Sequence, residues 1–224
     1  MAINYNPRIV TDGLILALDA GNTKSYPGSG TTWTDLSGNG NNGTLTNGPT
    51  FDSGNGGSIV FDGSNDVVNC GNDSTLSPSE ITLSIWCNPS GFGEGNFGRF
   101  FQKVDQYVFF FDNTGGSGTN GIRFGAQTGS SQVYTVSNVV TLNEWANFAV
   151  SLSGSTASFY KNGSLVGSSG GFSSLPSTSN DLTFGNNTAL TRTFNGKLSQ
   201  GLIYNRGLTA SEIQQNYNAL RGRY

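Results

Sequence analysis

The chain is 224 residues long, with 33 glycines, 12% aromatics and only 11% charged residues, the profile of one large domain built from short strands. A net charge of -3 with dispersed basic residues argues against a nucleic-acid partner, and no apolar run approaches the roughly 20 residues that span a bilayer. Histidine is absent, which excludes Ser-His-Asp and Cys-His nucleophile systems and zinc–histidine sites.

Residues 1–10 read as a polar N-terminal arm, without the charged and apolar regions of a secretory signal. Period-two alternation then begins: Leu14, Leu16 and Leu18 interleave with Ile15, Ala17 and Asp19. It returns at 58–62, 81–88, 99–104, 107–112, 122–127, 132–136, 147–152, 157–161 and 181–185, each run bounded by turn formers, which is the pattern of a sandwich. The run Phe109-Phe110-Phe111 breaks the alternation. Successive strand side chains point to opposite faces, so one ring is expected outside the core, in a second apolar environment or against a partner subunit. Lys161-Asn162-Gly163-Ser164 predicts a tight hairpin, because Asn-Gly supplies the two positive-φ residues of a type I′ turn. The one convincing helix is 209–221: Thr209 and Glu212 fit a capping box, and Ile213, Tyr217 and Leu220 form an apolar stripe. Cys70 and Cys87 read as free, buried thiols in preference to a disulfide.

Several blocks carry a family resemblance. Gly13-Leu14-Ile15-Leu16-Ala17-Leu18-Asp19-Ala20 is similar to a first strand, Asp35-Leu36-Ser37-Gly38-Asn39-Gly40-Asn41-Asn42-Gly43 to an early turn, and Phe61-Asp62-Gly63-Ser64-Asn65-Asp66 to the next hairpin. The strand 81–89, Trp145, the strand 158–160 and Asn162-Gly163, then Phe194-Asn195-Gly196-Lys197-Leu198, follow in order. Together they resemble the laminin-G-like, concanavalin-A-like jelly rolls. The ends, Tyr5-Asn6-Pro7-Arg8 onward and Tyr204-Asn205-Arg206-Gly207-Leu208, resemble such modules in tailed-phage virion proteins. That resemblance implies a structural or host-recognition role.

Glycosidases of this fold need two carboxylates facing one sugar. The four glutamates, Glu80, Glu94, Glu144 and Glu212, stand alone in sequence, and no enzyme is expected. Asp19, Asn22, Asp62, Asn65 and Asp66 are the natural oxygen donors for calcium, but Asx-turns are the preferred reading and no cofactor is required. The resemblance implies a further acidic pair on the last strand, where this chain has Ser199-Gln200. For a glycan, the candidates are the loop aromatics Tyr26, Trp33, Phe92, Phe97 and Tyr134 with Asp35, Asn39 and Asn96, set against the alternative that each aromatic caps the core. Phe109, Phe110 and Phe111 are the candidate interface.

The expectation is an all-β, two-sheet antiparallel jelly roll over residues 11–224, ending in the helix. Its expected role is a non-catalytic virion adhesion module that binds a glycan or host surface, assembled in the host cytoplasm. The alternatives are a decoration protein binding only virion subunits and, third, a glycosidase. Expected partners are other virion proteins, further copies of the chain in a homo-oligomer, and a host surface glycan, without nucleic acid or membrane insertion.

Overall fold

The structure, a computed structural model, describes residues 8–115, 118–126 and 132–224. Most of residues 1–10, the expected arm, therefore lies outside the described residues. The described strands are β1 (Leu14–Asp19), β2 (Thr32–Trp33), β3 (Gly43–Thr46), β4 (Thr50–Asp52), β5 (Ser58–Asp62), β6 (Val67–Asn69), β7 (Ile81–Gly91) and β8 (Arg99–Lys103). They continue as β9 (Tyr107–Asp112), β10 (Gly121–Ala126), β11 (Gln132–Val136), β12 (Ala146–Ser153), β13 (Thr156–Lys161), β14 (Ser164–Ser169), β15 (Leu182–Phe184) and β16 (Asn195–Tyr204). Helix α1 (Ala210–Leu220) follows.

Two antiparallel sheets result. The first runs β14-β13-β12-β7-β16-β5-β4, and β1 joins the far half of β16. The second runs β11-β10-β9-β8-β15-β6-β3-β2. The last strand serves two partners on one side: Asn195–Leu198 pairs with β5, and Gln200–Tyr204 with β1. The Asn-Gly hairpin forms as expected, with Asn162 at φ 52° and Gly163 at φ 78° joining Lys161 to Ser164.

The core follows from register. In the second sheet Leu45, Val68, Phe184, Phe101, Phe109, Phe124 and Tyr134 lie side by side across seven strands and face inward. Phe101 and Phe184 meet edge to face at 4.4 Å between ring centroids. Ile81, Leu83, Ile85 and Cys87 face them from β7. A break in register between Arg99 and Phe101 sends both Phe100 and Phe101 into the core. Cys70 and Cys87 are unpaired and buried, and burial raises both thiol pKa values.

Helix α1 covers the outer face of the first sheet. Leu208 and Ile213 join Ala17, Ala149, Tyr160, Leu202 and Tyr204 in a second apolar cluster. Trp86, also facing outward, stacks on Tyr217 and on the C-terminal Tyr224, with ring centroids 5.6 and 4.2 Å away. Both halves of the capping box are present. Arg206 grips Glu212 with two donors, and this ion pair pulls the carboxyl down to about 2. Thr209→Ala is expected to destabilise the protein by about 1 kcal/mol, because the Glu212 N–H loses its acceptor. Overlaying unfolding curves of mutant and parent would refute that assignment.

Candidate functional site

The aromatic candidates separate by location. Trp33 is completely buried against Phe184, and Tyr26 is buried with its hydroxyl donating to Gly30 O at 2.8 Å. Neither has a ring face to offer a sugar. Tyr134 packs on Phe159 from the core side, and Phe92 meets Phe111 edge to face. Phe97 is half-buried on the outer face of the second sheet, 5.9 Å from Phe110, with the exposed Asn96 beside it in sequence. Asp35 is buried and organises the turn that follows it: its carboxylate accepts from the N–H groups of Ala17, Ser37 and Asn41. Phe109 and Phe111 are fully buried, so they have no surface for a partner. Phe110 points outward and is only 6% exposed, because the Arg99 guanidinium lies 4.1 Å from its ring centroid and Arg123 lies at 5.9 Å.

Among the glycan candidates, Asn39 reaches a cavity. It lies at the rim of a cleft of about 560 Å³ on the outer face of the second sheet. Alternation aims Thr44 and Thr46 of β3 and Asn69 of β6 outward into it, since Leu45 and Val68 face the core. Asn42 comes from the turn that Asp35 organises, and Asn72 and Asp73 from the turn after β6. Asn42 spends its carbonyl oxygen on the Asp35 N–H, leaving its amide NH₂ for a ligand. Asn72 does the reverse: its NH₂ donates to Ser179 O, leaving the carbonyl oxygen. Asp73 accepts from the Thr75 N–H and hydroxyl, which hold its carboxyl below the usual range. The cleft therefore presents donors and acceptors on fixed turns, an arrangement suited to a polyhydroxylated ligand.

A family model described as the concanavalin A-like lectin/glucanases superfamily matches residues 62–214. The chain belongs to that superfamily. No curated protein matches its sequence. Among solved structures, domain 4 of the extracellular arabinanase AbnA from Geobacillus stearothermophilus, in complex with arabinotriose, is 21% identical with a TM-score of 0.70. The match covers 91% of this chain and 98% of that domain. The binding domain of Paraclostridial Mosquitocidal Protein 1 is 16% identical, with a TM-score of 0.72, over 93% of this chain and 52% of its own. A Trypanosoma rangeli sialidase in complex with sialic acid is 14% identical, with a TM-score of 0.68, over 98% of this chain and 36% of its own. The chain thus spans about half or less of the latter two, and at these identities the likeness is one of fold.

Within this superfamily fold, the side chains of Asp19, Asn22, Asp62 and Asp66 accept hydrogen bonds from the chain itself. Both Asp19 oxygens accept from Arg223, and one also takes the Gly21 N–H. Asn22 accepts from the Lys24 N–H and Asp62 from the Ser64 N–H, each two residues on, as in Asx-turns. Asp66 is buried with one oxygen on the Asp62 N–H, and desolvation followed by the Asp62 charge raises its pKa. Asn65 is exposed, and its backbone oxygen accepts from Asn47. Among the described residues no cluster of three acidic or cysteine side chains is placed to hold a metal. No helix of the described residues is long and apolar enough to cross a membrane.

Proposed function

We propose that this concanavalin A-like domain is a non-catalytic glycan-binding module, acting in surface attachment as part of a phage particle. The carrying observation is the polar cleft bounded by Asn39, Asn42, Thr44, Asn69, Asn72 and Asp73. Amide and carboxylate groups held by their own turns can pair with sugar hydroxyls without reordering, which lowers the cost of binding. The phage setting is supported by the resemblance of the two chain ends to virion modules. A role confined to virion assembly draws less support, because the chain itself covers the outward-facing Phe110.

The non-catalytic reading is supported by the fate of the carboxylates. Glu212 is committed to the helix cap, and Glu80 accepts from the Gly154 N–H at 2.6 Å. Asp66, the acid beside Asp62, has no access to a substrate, being 2% exposed. The test is a glycan array followed by titration of the tightest hit. Asn72→Ala is expected to weaken binding of the tightest neutral hit about tenfold, equivalent to roughly 1.4 kcal/mol. An array without binding, or a hit that the parent hydrolyses, would sink the proposal.

A further inference from the structure

On the same outer face, away from the cleft, Arg99, Phe110, Arg123 and Thr135 stand side by side across β8, β9, β10 and β11. The segment 92–98 and the segment before β16 are fastened to this row. Arg99 N donates to Arg192 O at 3.0 Å, and Glu94 N to Thr193 O at 3.0 Å. Gly93 has φ 74°, and a side chain there would strike Thr193 O, so this close approach requires glycine. The outcome is a third arginine, Arg192, with its guanidinium 5.7 Å from the Phe97 ring centroid.

The three cations are not equally compensated. Arg123 has an ion pair with the fully buried Asp112, which also accepts from Thr114 and Thr135. Among the described residues, Arg99 donates to neutral acceptors, Gln102 Oε1 and Phe97 O, both at 2.8 Å. Arg192 donates to Thr191 O at 2.6 Å. Among the described residues neither Arg99 nor Arg192 has a carboxylate within ion-pair distance. Burial, then the charges of Arg192 and Arg123, brings Arg99 down to about 10. Half-buried cations crowded by like charge cost stability, and an incoming anion would relieve that cost. The crowding stands out in a chain with 14 acidic residues against 11 basic ones.

We propose that Arg99 and Arg192, beside Phe97, form a subsite for the carboxylate of an acidic sugar residue. The proposal rests on the glycan-binding reading and adds the class of glycan. Guanidinium groups hold a planar carboxylate with paired, parallel hydrogen bonds. The half-buried Phe97 offers an apolar face to a sugar ring, and Asn96 beside it is exposed. An acidic peptide would satisfy the charge but would leave the aromatic face unused.

The test uses the whole chain on an array of carboxylated, sulfated and neutral oligosaccharides, with a tetraglutamate peptide titrated in parallel. Carboxylated glycans are expected to bind. The tightest should lose at least tenfold in affinity in Arg192→Gln, and as much from the parent when its carboxyl is reduced to an alcohol. Rising salt should weaken that binding but not the binding of neutral sugars. Arg99→Gln should act in the same direction, and Arg192, at a loop, gives an independent variant if the half-buried Arg99 is needed for folding. Carboxylated glycans that bind Arg192→Gln as tightly as the parent, or preferred hits that are neutral or sulfated, would overturn the subsite while leaving the glycan module standing. Tighter binding of tetraglutamate than of any glycan would overturn it in favour of a peptide site. An array without hits would overturn both readings.

Discussion

Phe109→Ala is expected to lower the free energy of unfolding by about 3–5 kcal/mol. Phe110→Ala, one residue on, should cost roughly 1.5–3 kcal/mol. Both rings are buried, and a sequence pattern gives no reason to rank them. The structure does, through what surrounds each one. Phe109 lies in the inward row between Phe101 and Phe124 and meets Phe100 edge to face at 5.1 Å. Alanine there opens a cavity walled by rigid aromatic side chains that cannot collapse into it. Phe110 lies under Arg99 and Arg123, whose long stems can settle onto the sheet once the ring is gone. Denaturant titration of both variants decides the matter. Equal losses, or a larger loss at Phe110, would mean that β9 has its faces assigned the wrong way round.

The strands were legible where alternation ran for five residues, as in β5 and β11, whose bounds agree with the pattern. Thr32–Trp33 shows why the shortest strands were not. A two-residue strand has no period, so Trp33 reads as a loop aromatic although pairing with Gly43 and Thr44 places it in the core. Tyr26 was obscured for a related reason: a turn carries it inward onto Phe51, 5.5 Å away. The polar cleft was half visible. Asn39 stands in an asparagine-rich turn that the sequence displays, but Asn69 and Asn72 meet it only through the pairing of β3 with β6. The arginines were invisible as a group. Positions 99, 123 and 192 look dispersed, and only strand register and the Arg99–Arg192 backbone bond bring them together. The helix, by contrast, carried its start signal within four adjacent residues, so local sequence sufficed.

A buried polar network fixes where that helix sits, and Asn216→Ala should cost about 2–4 kcal/mol. Asn216 Oδ1 accepts the Val10 N–H at 2.8 Å, and its NH₂ donates to the Tyr204 hydroxyl at 3.0 Å. The hydroxyl in turn donates to Val10 O at 2.9 Å, and burial holds it protonated by raising its pKa. The chain before β1 is thereby closed into one ring of hydrogen bonds with the last strand and the helix, some 200 residues on. Asn216 is 4% exposed and Tyr204 fully buried, so groups that lose these partners gain little from water. Tyr204→Phe removes one donor and one acceptor from the same ring and should cost roughly 1–3 kcal/mol. Because the two changes break shared bonds, the double mutant should cost less than the sum of the singles by about 1 kcal/mol or more. Strict additivity in the unfolding free energies would show that the ring does not act as a unit. Hydrogen exchange at the Val10 amide supplies the local readout: it should accelerate in Asn216→Ala before global unfolding does, since that side chain is its acceptor.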